Sequence, residues 1–174
     1  MKQSRVTILI ALALLLAGCA STQVQTRVAE GFSQPVERFY LVAKVAGNWD
    51  EASTSMLEEA LQAKLNPCVE MATHVISPLA LDPDAYLGEM ERFGTSHVLL
   101  LEQTMEKTLS QGWMGDSPRG FVFDARLVDL ATEDVLWRAN LDSGGNAGFR
   151  GEYIYSMAET LVEAMKKDGV IRCP

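Results

Sequence analysis

The chain has 174 residues, with 15 basic and 23 acidic side chains and a formal charge of −8. That length suits one domain with its own core. The acid excess argues against nucleic acid or anionic lipid headgroups as partners, because both require clustered Lys and Arg. No CxxC, HExxH, GxSxG or GxxxxGK[ST] signature occurs, so the sequence indicates no metal, no cofactor and no catalytic elbow.

Residues 1–18 begin with Lys2 and Arg5 and continue as an apolar run of twelve residues from Val6 to Ala17. A membrane-spanning helix needs about 20 apolar residues, so the run matches a secretory signal peptide instead. Its end, Leu16-Ala17-Gly18-Cys19, resembles the bacterial lipobox. The resemblance implies cleavage before Cys19 and acylation of that cysteine. With Ala20 following rather than aspartate, it also implies delivery to the outer membrane, facing the periplasm. Buried acyl chains contribute about 0.8 kcal/mol per CH₂, so the membrane is the first partner expected. The processed chain keeps 13 basic and 23 acidic residues, a charge of −10. Residues 19–36 are polar, contain Gly31 and Pro35, and read as a lipidated tether.

Residues 37–174 read as a single α/β periplasmic domain. "ERFYLVAKVA" (37–46) is aromatic and β-branched and predicts a strand. Asn48 or Asp50 then caps a helix whose apolar positions are Met56, Leu57, Ala60, Leu61 and Leu65, and Asn66-Pro67 stops it. "CVEMATHVIS" (68–77) predicts a second strand. Asp82-Pro83 opens a second helix that Gly94 ends. "SHVLLLEQTME" (96–106) has the continuous apolar centre of a strand buried on both faces. Residues 107–120 are too rich in Gly, Ser and Pro for regular structure throughout. "FVFDARLVDL" (121–130) and "VLWRANLD" (135–142) form a hairpin, and residues 143–151 are a flexible lead into the last helix. There Tyr153, Met157, Leu161 and Met165 share one face, widened by Ile154, Ala158, Val162 and Ala164, and Gly169 terminates the helix. The order β-α-β-α-β-β-β-α implies an α/β (α+β) domain with a mixed sheet of about five strands.

With Cys19 lipidated, Cys68 and Cys173 remain, and two cysteines in an exported protein predict a disulfide. For a loop of more than 100 residues the chain-entropy model gives about 4–5 kcal/mol. Two free buried thiols are the alternative.

"FDARLVDLATEDVLWRANLDSGG", followed by "MAETLVEAMKKDGVI", resembles the end of many small envelope lipoproteins. It is similar to the domain of curli-secretion-type lipoproteins and of lipoprotein activators of penicillin-binding proteins. That resemblance implies binding and assembly, with no catalytic constellation to carry over. Asp129, Thr132 and Trp137, which carry it, can equally serve the hairpin itself.

The remaining candidates are few. "GWMGDSPRG" (112–120) holds Trp113, Met114 and Arg119 in an expected loop, and Trp and Met suit a partner-binding surface. His74 and His97 fall in predicted strands and read as structural. The leading expectation is a non-catalytic accessory or assembly factor of an envelope complex that binds a protein partner. One rival is a homo-oligomeric structural lipoprotein. The other is an enzyme acting on cell-wall or lipid substrates, which predicts a histidine joined to a carboxylate in a pocket.

Overall fold

A computed structural model describes residues 21–46, 49–76, 86–110, 116–144 and 150–173. In chain order its elements are β1 (Ser21–Val28), β2 (Arg38–Lys44), α1 (Glu51–Leu65), β3 (Glu70–Ile76), α2 (Leu87–Phe93), β4 (His97–Ser110), β5 (Asp116–Asp129), β6 (Asp134–Gly144) and α3 (Arg150–Lys167). The strands form one sheet in the order β1-β6-β5-β4-β2-β3. β2 is parallel to β3 and β4, through helical crossovers, and the other pairings are antiparallel, so the sheet is mixed as expected.

The sheet has six strands rather than five. The additional strand is β1, from residues read as tether, which pairs along its whole length with β6. Its sequence STQVQTRV alternates: Thr22, Val24, Thr26 and Val28 sit opposite the inward-facing Ser143, Leu141, Ala139 and Trp137. Ser21, Gln23, Gln25 and Arg27 take the other face. Period two with β-branched residues at every inward position is a half-buried strand, even when most of its residues are polar. Thr22 also shares a 2.8 Å hydrogen bond with Ser156 of α3.

One face of the sheet carries the main core. Phe39, Leu41, Leu99, Leu101, Phe123 and Leu127 are all buried beneath α1 and α3. α1 contributes Leu57, Ala60, Leu61 and Leu65, and Asp50 caps it by accepting from the Ser53 N–H at 2.8 Å. Hydrogen bonds from Ser53 hold the Asp50 carboxyl below the usual carboxylate range. All eight apolar positions read from the sequence of α3 are buried. Each fully buried large apolar side chain contributes about 1.5–3 kcal/mol.

The other face is only partly roofed. Here α2 covers Tyr40, Val42 and Val98 with Tyr86, Met90 and Phe93. Gly94 ends α2 in the left-handed region at φ 70°. Asp82-Pro83, expected to start this helix, lies outside the described residues.

The β4–β5 hairpin is longer than its composition suggests. Pairing continues past Lys107↔Gly120 to Ser110↔Asp116, with a register shift that leaves Arg119 as an extra residue. Among the described residues, nothing from β6 stands beside this arm of β5 beyond Gly120↔Gly144, so Pro118 deprives no described ladder partner on that side. Gly120 itself cannot be replaced without distortion, since it has φ 148° and a Cβ there would stand 2.0 Å from the Ser143 carbonyl oxygen. Ser143 and Gly144, read as the start of a flexible lead, belong to β6.

Candidate functional site

The segments that follow α1 and α3 are tied together. Cys68, just after α1, and Cys173, at the C-terminus, are disulfide-bonded with their Cα atoms 4.1 Å apart. Close by, Val36 donates its N–H to the Val170 carbonyl at 2.8 Å, so the entry to β2 and the exit of α3 are held at one place. The hairpin residues that carried the sequence resemblance serve the fold. Asp129 Oδ1 accepts from the Ala131 N–H at 2.9 Å, and Thr132 Oγ1 accepts from the Asp134 N–H at 3.4 Å. Trp137 is fully buried and donates Nε1–H to Asp168 at 2.8 Å.

The opposite end of the sheet is where the chain enters. β1 starts at Ser21, two residues after Cys19, level with Gly144 and Gly120. The β4–β5 arms overhang this level by three paired positions, roughly 10 Å at 3.3 Å per residue. Cys19, Trp113 and Met114 lie outside the described residues, whereas Arg119 is half-buried on β5, not in a loop. The bulge explains that change: it keeps a Gly- and Pro-containing segment in the ladder by leaving one residue unpaired. At the same end Arg150 binds Glu106 at 3.2 Å and lies 5.6 Å from the Phe121 ring and 5.9 Å from the Trp49 ring. Trp49 packs on Phe121 and Phe123, and Lys107 pairs with Asp142.

A histidine does meet a carboxylate. His74 Nδ1 on β3 is 3.6 Å from Glu89 Oε2 on α2, and the Tyr40 hydroxyl donates to the same oxygen at 3.0 Å. Burial, together with the adjacent Glu89 carboxylate, pushes the Tyr40 phenol up to about 12. The phenol therefore stays protonated and acts as a donor, and the trio fastens α2 to the sheet. His97 sits at the start of β4, where its Nδ1 is 3.2 Å from the Ser96 hydroxyl.

The part of the second face that α2 leaves open is charged, and its arrangement was not visible in the sequence. Arg27 on β1 stands directly opposite Arg138 on β6, and Arg138 directly opposite Arg126 on β5. With Gln25, Asp124 and Asn140 they line a groove of about 450 Å³. Arg126 reaches Glu102 at 3.2 Å, while its Nε is buried with no hydrogen-bond partner among the described residues. Asp124 accepts from Asn140 at 2.7 Å. Among the described residues, neither Arg27 nor Arg138 is paired with a carboxylate. Residues more than a hundred positions apart meet here only through strand register.

No protein-family model matches the sequence, and no curated protein does. Solved structures do share the fold. The PelC dodecamer from Paraburkholderia phytofirmans aligns with a TM-score of 0.54 and 14% identity, covering 81% of this chain and 94% of that one. A single-substitution variant of the same dodecamer gives 0.52 and 13%, over 83% and 95% of the two chains. A PDZ domain protein from Parabacteroides distasonis gives 0.42 and 10%, over 90% and 38%. At these identities the likeness concerns the fold.

Proposed function

We propose that this chain is a lipid-anchored component of the bacterial envelope that works by protein binding, as an assembly or accessory factor, and that copies of itself are among its partners. Cys19 is the anchor, carrying the acyl chains that hold the domain at the periplasmic face of the outer membrane. The observation that carries this reading is the fold likeness to a protein that forms a dodecamer, along nearly the whole of that chain. The topology supports it too: Ser21 follows Cys19 by two residues, so the end of the sheet that bears the β4–β5 hairpin faces the membrane. The reading assigns no catalytic group, because the contacts of His74, Glu89 and Tyr40 are those of a clasp for α2.

The test is crosslinking of the lipidated protein in intact cells, followed by its native mass after detergent extraction. A ladder of self-multiples, with or without a foreign protein, is the expected result. A protein that remains monomeric and captures nothing would refute the proposal. Cys19→Ser should leave the domain folded and release it from the membrane fraction. If His74→Ala instead abolished a hydrolytic activity of the purified protein, the enzymatic rival would displace this reading.

A further inference from the structure

The arginine row on the open sheet face is costly for the isolated domain. Like charges directly opposite each other on adjacent strands are destabilising. Here three stand in sequence across β1, β6 and β5. Among the described residues only one of them has a carboxylate, although the processed chain holds ten more acids than bases. Two guanidinium groups without a carboxylate among the described residues therefore face outward from an otherwise acidic protein.

The opposite side of the two-layer structure presents the complement. On α3 the buried stripe faces the sheet, and Glu152, Tyr155 and Glu159 recur outward at i, i+3 and i+7. Tyr155 is 50% exposed, a large aromatic side chain between two glutamates. Among the described residues, Glu152 has no cationic partner, and Glu159 has only a surface pair with Lys64 at 3.3 Å, an arrangement that contributes little to stability.

Resting on the self-association proposed above, we infer that the open sheet face of one copy receives the Glu152–Tyr155–Glu159 stripe of a second copy, with Arg27 and Arg138 as its carboxylate-binding residues. Such a contact joins two different surfaces, so every added copy leaves one face of each kind free, and the assembly extends as a ring or a filament. Tyr155 supplies the aromatic anchor at the centre, where a guanidinium can also stack on its ring.

Charge exchange tests this pairing. One full-length lipidated variant carries Arg27→Glu and Arg138→Glu, a second carries Glu152→Arg and Glu159→Arg, and native mass is measured for each alone and for the mixture. Far-ultraviolet circular dichroism confirms that both remain folded. Each variant alone should show an apparent dissociation constant raised by about 100-fold or more. The mixture should regain the wild-type mass, because the acidic sheet face of the first fits the basic helix of the second. If both variants kept the wild-type mass, the interface would lie elsewhere while self-association stood. Loss of assembly in each without recovery on mixing would overturn the pairing of these two faces. A wild-type protein that stayed monomeric would remove both the inference and the self-association on which it rests.

Discussion

The two faces of the sheet obey opposite rules. Beneath α1 and α3 each strand contributes alternate apolar residues, and Trp137 completes that layer with both its ring and its N–H satisfied. On the open half of the other face, the same strands present Arg27, Arg138, Arg126 and Asp124, with no helix over them among the described residues. The first face explains why the chain folds. The second contains an arrangement that folding alone does not favour.

The largest effect should come from the covered face. Trp137→Ala removes a fully buried indole and leaves Asp168 without its 2.8 Å donor, so the domain should lose about 3–5 kcal/mol in chemical denaturation. A loss below 1 kcal/mol would mean that the two layers are far less tightly packed than their burial implies. Next is the disulfide, which closes the covered layer from its edge. The double change Cys68→Ser, Cys173→Ser should cost about 2–4 kcal/mol, and reductant should reproduce that loss in the wild-type protein.

Between the two faces stands Tyr40, on the second face but roofed by α2. Its folded pKa of about 12 lies above the reference 10.0, so the protonated phenol favours the native state. That contribution is complete below pH 10 and is lost as pH rises through about 12. The difference is worth on the order of 2–3 kcal/mol. Stability measured from pH 9 to 12 should therefore fall, and Tyr40→Phe should flatten the fall while costing about 1 kcal/mol at neutral pH, through the lost bond to Glu89. A wild-type profile unchanged by Tyr40→Phe would show that another group controls the alkaline transition.

The covered face was largely legible in the sequence, because burial writes itself as periodicity. Leu57, Ala60, Leu61 and Leu65, and the apolar stripe of α3, follow from 3.6-residue spacing alone. β1 was also readable in principle, through Thr22, Val24, Thr26 and Val28. Its outward residues are polar and its two threonines lower its hydrophobicity, which makes it resemble a linker. The extended β4–β5 arms were concealed differently: Pro118 and Gly120 normally break strands, and the bulge and the open edge that accommodate them are tertiary facts. The open face was illegible for a deeper reason. Arg27, Arg126 and Arg138 have no common periodicity, and a register one residue different would send each to the other face.

The smallest effect is the most discriminating, because its sign is opposite to the others. Arg138 stands between two arginines, is exposed, and meets no carboxylate among the described residues. Replacing it with glutamine keeps a polar side chain on the strand and removes the middle charge of the row. The dilute, unassembled domain should then become more stable, by up to about 1 kcal/mol at low salt. The gain should shrink toward zero at about 1 M salt, where screening already weakens the repulsion. Urea denaturation at the two salt concentrations measures both quantities. A mutation that stabilises the monomer while weakening self-association would identify Arg138 as a residue held against the interests of its own fold. If Arg138→Gln destabilised the domain at both salt concentrations, the row would belong to the fold after all, and the two faces would no longer be governed by different demands.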